Sequence, residues 1–228
     1  MKILFHFFLF LSFSLSQPLE TIHYTVKYNN IIAGSASLGI SILDDKSSKI
    51  EFNLKSKKWI DLIYKLREKI TIISDTENFA IKSITKKSNH GRNKKSYHAL
   101  FDYENLKGEI NSKSINLENK IYDPISIIYN LRYQLIEVED IFKYDILSKN
   151  NFKSFEMHVV NKEKLKINNH IHDCFVIEAF QITKNNQLKK SDELKLWLNE
   201  EKVPIIIEKK AKHGTIKMEI KDIVLYNG

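Results

Sequence analysis

Alternation with a period of two runs through nearly the whole chain and constrains its fold more tightly than any other feature. In TIHYTVKY, residues 21–28, Ile22, Tyr24, Val26 and Tyr28 fall on one side and Thr21, His23, Thr25 and Lys27 on the other. A strand turns successive side chains to opposite faces, so this pattern predicts a half-buried strand. Asn29-Asn30 follows, a pair that tolerates the positive φ of a tight hairpin turn. The next stretch, IIAGSASLGISIL, sets Ile32, Gly34, Ala36, Leu38, Ile40 and Ile42 against Ala33, Ser35, Ser37, Gly39 and Ser41. Small residues along one face suit strong curvature or a close-packed neighbour. Asp44-Asp45-Lys46 then turns the chain into KIEFNLKS, with Ile50, Phe52 and Leu54 inward.

The same patterning returns in EKITIIS, FAIKSITKK, KKSYHALFDYE and KGEINSKSI, and again in six further stretches from IFKYDILS to TIKMEIKDIVL. WIDLIYKL, residues 59–66, breaks it and reads as a short helix or an irregular crossing. No βαβ rhythm, proline-rich linker or internal repeat of roughly 20–50 residues is present. Around a dozen sequential strands with short hairpin links predict an all-β, mainly antiparallel fold. The expected form is one large curved sheet making a barrel or half-barrel, with a single helix over about 124–135 packed on or in it.

The N-terminus gives the address. Lys2 is the only early charge, and Ile3 to Leu15 is almost uninterruptedly apolar. Such a run falls short of the roughly 20 residues that span a bilayer and suits a signal-peptide core; an uncleaved anchor helix is the alternative. Ser14 and Ser16 supply the small residues before a cut, with Gln17 as the mature start. Residues 1–16 are therefore expected to be a signal peptide and 17–228 a single exported β domain. No cysteine near the cut would carry a lipid, and no later segment reaches membrane-spanning length. The expected location is the periplasm, as a soluble protein. A lone cysteine, Cys174, allows no intrachain disulfide, so the core must stabilise the fold.

The formal net charge is +8. Lysine, asparagine and isoleucine are all heavily used, and the lysines are scattered among acids, which describes a solvated surface better than a nucleic-acid footprint. No nucleic-acid partner is expected. The same bias makes the three arginines among 36 basic residues informative. Where positive charge alone is needed lysine serves, so Arg67, Arg92 and Arg132 are expected where a planar, forked guanidinium matters.

One of them ends the most unusual stretch, IYDPISIIYNLR, residues 121–132. Asp123 is suited to the N-cap and Pro124 to the first turn, where its missing N–H costs nothing. With Ser126 they form the structural motif that starts the helix. At helical spacing Ile125, Ile128, Tyr129, Leu131 and Leu135 make an apolar arc, while Ser126, Asn130 and Gln134 make a wet side. Arg132 falls inside the apolar arc. Either it pairs with an acid or strand carbonyls and pins the helix to the sheet, or it faces a cavity and meets a polar ligand group.

This stretch resembles the Y-D-P-x-S-x-x-Y-x-L-R segment of an uncharacterised family of exported bacterial proteins, a domain of unknown function. IHYTVKYNNIIAGSASLGI is similar to that family's opening hairpin, ALFDYEN to its middle strand, and LKLWLNEEKVPIIIEKKAKHGTIKMEI to its closing W-L…P…Gly pattern. The chain departs from the pattern over SKKWIDLIYKL, where the family implies more small residues. The resemblance implies an exported antiparallel β protein with the curved half-barrel architecture of periplasmic lipoprotein carriers. It implies no activity and no catalytic residue.

Other constellations are weaker. His170, His172 and Cys174 alternate as metal ligands would on a strand, but the stretch reads as a hairpin tip, and Cys174 as a buried small hydrophobe. NHGRNKK, 89–95, is a solvated hairpin or a basic loop that touches lipid headgroups or a partner. Trp59, Tyr64, Tyr97, Phe101, Tyr103 and Trp197 are core in a closed barrel and partly groove-lining in an open one. No catalytic, metal or cofactor-binding residue is expected. The functional expectation is a non-enzymatic periplasmic protein that binds or carries a lipid or other hydrophobic ligand, with Arg132, Tyr129, Ile125 and Ile128 as candidate ligand-binding residues. The alternative is an envelope interaction or assembly protein with a filled core and an envelope protein partner.

Overall fold

The computed structural model describes residues 19–62, 64–148, 151–211 and 214–226, so the segment read as an export signal lies outside the described residues. The chain forms β1 (Glu20–Tyr28), β2 (Ile31–Asp44), β3 (Ser47–Ser56), a four-residue helix α1 (Lys58–Asp61), β4 (Leu66–Asp75), β5 (Ile81–His90), β6 (Asn93–Asp102), β7 (Lys107–Ile110) and β8 (Lys113–Asn116). A crossing built from β9 (Ile121–Tyr122) and helix α2 (Pro124–Arg132) leads to β10 (Ile141–Ser148), β11 (Asn151–Ile167), β12 (His170–Ile182), β13 (Leu188–Asn199), β14 (Pro204–Ala211) and β15 (Gly214–Leu225).

All fifteen strands belong to one sheet, in the order β8-β7-β6-β5-β4-β3-β2-β1-β15-β14-β13-β12-β11-β10-β9. The chain starts in the middle, meanders to the β8 edge, crosses through α2 to the other edge, and meanders back until β15 pairs with β1. Every pairing is antiparallel except β9 with β10. The sheet curls but does not close, since β8 and β9 remain its edges. Asn29 and Asn30 turn the first hairpin with φ of 47° and 68°, and Asn168 and Asn169 repeat the device at 50° and 65°. Asparagine enters this left-handed region more readily than most residues, so these hairpins are written locally.

The expected fold class matches in kind: all-β, mainly antiparallel, curved, with one substantial helix against the sheet. Some details differ. Very short strands such as β7, β8 and β9 raise the strand count above a dozen, because two to four residues carry too little alternation to be seen. WIDLIYKL holds most of the short helix α1, one of the two forms read for it, followed by a turn at Leu62. Helix α2 stops at Arg132 instead of running to Leu135, because the Tyr133 amide donates to Asn130 O (3.1 Å) and the Gln134 amide to Leu131 O (3.2 Å), closing the last turn tightly. Leu135 is therefore exposed. Ile32 and Ile42, which alternate in step with the buried Ala36, Leu38 and Ile40, are exposed where β2 runs past the core.

The core lies mainly on the face that α2 covers, while along β12 to β14 runs of consecutive residues such as 174–179 and 205–207 are buried, so both faces of the sheet are covered there. Ile127, Ile128, Tyr129 and Leu131 are all 0% exposed, and α2 packs against β3 and β13. Each such apolar side chain contributes about 1.5–3 kcal/mol by leaving water. Four of them outweigh the marginal intrinsic stability of a nine-residue helix.

Candidate functional site

The helix motif is a structural joint. The Asp123 carboxylate accepts from the Ile125 amide (3.0 Å), and the Ser126 hydroxyl in turn accepts from the Asp123 amide (3.0 Å), a reciprocal cap with Pro124 in the first turn. Lys86 Nζ donates to the other oxygen of Asp123 at 2.5 Å, tying the cap to β5. Ser126 and Asn130, read as the wet side, are buried. Asn130 donates to Asn78 O (2.7 Å) and accepts from the Tyr144 hydroxyl (2.6 Å). That face is polar because it bonds to the sheet interior, not because it meets water.

Arg132 donates through both terminal nitrogens to Glu20, at 2.5 and 2.7 Å, and both side chains are 13% exposed. Its guanidinium also stands 5.3 Å from the centre of the Tyr129 ring. The Tyr129 hydroxyl makes no hydrogen bond of ordinary geometry, and burial pushes its pKa well up, against the pull of Arg132. Nearby Tyr24 is fully within the core and donates to Pro204 O (3.0 Å). Of the two readings of Arg132, the geometry matches the pin between helix and sheet. Ile125 and Ile128 are core residues beside it.

A large opening exists elsewhere. A groove of about 1120 Å³ is lined by β15 and β1–β6. Most of these strands contribute three consecutive residues, such as Ser35–Ser37, Asn53–Lys55 and Arg67–Lys69. The buried Tyr24, Ala36 and Leu54 turn their side chains to the core, so the groove is walled by their neighbours on the opposite, polar face. Two rows follow from the register. One runs His23, Ser37, Asn53, Lys69, Lys87, Ser96; the other Ser35, Lys55, Arg67, Asn89, Lys94. The first row crosses six strands, roughly 24 Å at about 4.8 Å per strand.

The groove is strongly basic. Lys55, Lys69, Lys87, Lys94 and Lys95 line it with Arg67, against Glu68 and Asp222, of which Asp222 lies 3.9 Å from His23. Arg67 is held in place by Asp61, whose carboxylate it meets at 2.5 and 2.9 Å, and this hydrogen bonding draws the Asp61 pKa down. Lysine faces lysine across the strands at Lys69–Lys87, and Lys55 faces Arg67. Asn89 Oδ1 is buried there without a hydrogen-bond partner. None of Arg132, Tyr129, Ile125 and Ile128 lines this groove. Its signals in the sequence were the small face of β2, which makes the floor, and the lysines at matching strand positions. No single strand reveals that those positions align.

The remaining constellations separate. Cys174 is 0% exposed, with its thiol directed to His172 O at 3.8 Å, while the rings of His170 and His172 lie 6.4 Å apart. Among the described residues no group of three or more His, Cys, Asp or Glu side chains could hold a metal ion. Phe101 and Trp197 are buried, Tyr97 and Tyr103 partly so, whereas Trp59 and Tyr64 are exposed. No helix among the described residues is long and apolar enough to cross a membrane.

No curated protein matches the chain. A solved structure does: the crystal structure of a beta-barrel-like protein of domain of unknown function DUF1849 from Brucella abortus, with a TM-score of 0.62 at 8% identity, covering 92% of this chain and 98% of that one. At that identity the likeness is one of fold. Residues 23–221 match the family described as protein of unknown function (DUF3108), a span that holds helix α2 and the groove lining up to Lys221 while Glu20 lies just before it, and the chain belongs to that family.

Proposed function

We propose that this is a non-enzymatic periplasmic binding protein that holds an elongated anionic ligand in the basic groove on the polar face of the sheet. The observation that carries this reading is the pairing of like charges along the groove, Lys69 opposite Lys87 and Lys55 opposite Arg67. Like charges directly opposite on a sheet destabilise it, so folding alone gives no reason to put them there. A ligand that brings negative charge along the row would turn that cost into attraction. The unpaired Asn89 oxygen adds a place for a ligand hydroxyl or amide, since buried acceptors are seldom left alone.

An apolar cargo inside the sheet is less well supported. That reading needs a cavity beside α2, and the helix side chains there are fully buried against the strands. A filled core agrees better with an envelope interaction protein, and the groove supplies a surface by which such a protein would act.

Calorimetric titration with dextran sulfate, an extended polyanion, tests the proposal, with uncharged dextran as control. Binding to dextran sulfate alone is expected, weakening steeply with salt. The Lys69→Glu/Lys87→Glu variant should lose at least tenfold in affinity while keeping its near-ultraviolet circular dichroism. Undiminished binding by that variant would sink the reading.

A further inference from the structure

At the end of the sheet away from the Glu20–Arg132 joint, three connections come together. The β1–β2 turn closes with Tyr28 opposite Ile31. The β3–β4 connection is tied to it by the Lys57 amide, which donates to Ala33 O at 2.8 Å. The β5–β6 turn is tied in by the Gly91 amide, which donates to Lys65 O at 2.7 Å. Tyr64 packs so closely over Gly91 that a Cβ there would lie 3.1 Å from its ring.

This end exposes several large apolar side chains on adjoining connections. Ile31 is 60% exposed, Trp59 49%, Leu62 88% and Tyr64 52%. Around them stand the exposed cations Lys57, Lys58, Lys65 and Arg92. Asp61, the carboxylate in the same connection, is already engaged by Arg67. The patch thus combines aliphatic and aromatic tips with an excess of positive charge, since Asp61, which Lys65 also feels, is its one carboxylate between Lys57 and Lys65.

We infer that this end seats the protein on the surface of an anionic lipid bilayer. Trp and Tyr favour the boundary between headgroups and acyl chains, and leucine and isoleucine tips at a turn reach just below it. Lysine and arginine beside them lie at headgroup depth, where anionic lipid attracts each one. A second copy of the chain would bring the same cations face to face, so charge complementarity favours the lipid surface. The inference stands apart from the groove reading, since it uses none of Lys69, Lys87 or Asn89.

The test uses the chain from Gln17, which retains the whole sheet, with vesicles of phosphatidylglycerol mixed into phosphatidylcholine, and vesicles of phosphatidylcholine alone. Trp197 is buried and bonded to Glu163, so a change in tryptophan emission on binding reports Trp59. The expected result is co-sedimentation with the anionic vesicles and a blue shift of the emission. Affinity should fall at least tenfold in Leu62→Ser and in Lys57→Glu/Lys58→Glu. Absence of co-sedimentation overturns the inference, as does co-sedimentation with no shift, which is adsorption by lysines alone. Sedimentation of vesicle-free protein supplies a third check: a dimer abolished by Leu62→Ser would assign the patch to a second copy and overturn it too. Loss of dextran sulfate binding in the groove variant would leave vesicle binding in place, so the two readings fail separately.

Discussion

Arg132 and Glu20 form a two-point bridge, 2.5 and 2.7 Å, between the end of helix α2 and the first residue of β1. The pair joins residues 112 apart in the sequence and sits where both side chains are nearly dry. Removing one partner of such a pair leaves a buried charge and costs about 3–5 kcal/mol. Arg132→Leu and Glu20→Leu are each expected to lower stability by that order in urea unfolding. The double Leu variant should recover most of it, because two apolar groups replace two matched charges. If the double variant is as unstable as the two singles added together, the bridge is not what holds the helix.

The groove lysines lead to an opposite expectation. Lys69 and Lys87 are cross-strand neighbours, and relieving such a like-charge pair gains a few tenths of a kcal/mol up to about 1. Lys69→Thr should therefore raise the unfolding midpoint slightly while weakening dextran sulfate binding. A protein that gains stability by losing charge at one place is displaying a site kept for binding. A drop in stability on this substitution would show that the lysine stems are needed for packing instead.

Much of the fold was legible because its information is local. Alternation in TIHYTVKY and KIEFNLKS, and the paired asparagines at the turns, state strands and hairpins within a few residues. Asp123-Pro124 states a helix start in the same way. Scarce arginine was also a true signal: Arg67 and Arg132 both fork onto carboxylates, Asp61 and Glu20, while Arg92 is exposed. What could not be read was pairing at long range. Asn130 looked wet because nothing near it in sequence reveals Asn78 and Tyr144 as its partners. The groove was invisible for the same reason, since it depends on the register of six neighbouring strands. Trp59 and Tyr64 were read with Phe101 and Trp197 as core or groove-lining, because composition does not separate an aromatic in a strand from one on an exposed connection.

Acid should weaken the protein through two lysine-paired carboxylates, the buried Glu178 and the half-buried Glu219. Glu178 bonds to Lys190 and Lys195, and Glu219 to Lys27 and Lys217. Burial pushes both carboxyls up, but the lysine hydrogen bonds outweigh it and hold them below their ordinary value of 4.5. On acidification the unfolded chain therefore takes up protons first. The stabilisation is fully present above the ordinary carboxylate range and is lost as the pH falls through the depressed folded values. Urea midpoints measured from about pH 6 to about pH 3 should decline below the ordinary range. Glu178→Gln and Glu219→Gln should each flatten the decline, and an unchanged slope in both would place the acid sensitivity elsewhere.

Cys174 gives a prediction about access. Its side chain is fully buried at the point where β12 enters the core, and burial, reinforced by Glu163 and Asp173, pushes the thiol up to about 11. Thiolate is the reactive form, so at pH values near 8 almost none is available even to a reagent that could reach it. In native buffer, Ellman's reagent is expected to modify Cys174 only as fast as the sheet opens, and in urea it should react at once. The rate in low urea should then follow the unfolding equilibrium and rise in parallel with the destabilisation caused by Arg132→Leu. Rapid labelling of the intact protein would show that β12 opens locally beside His172, and that this end of the core is separable from the joint at α2.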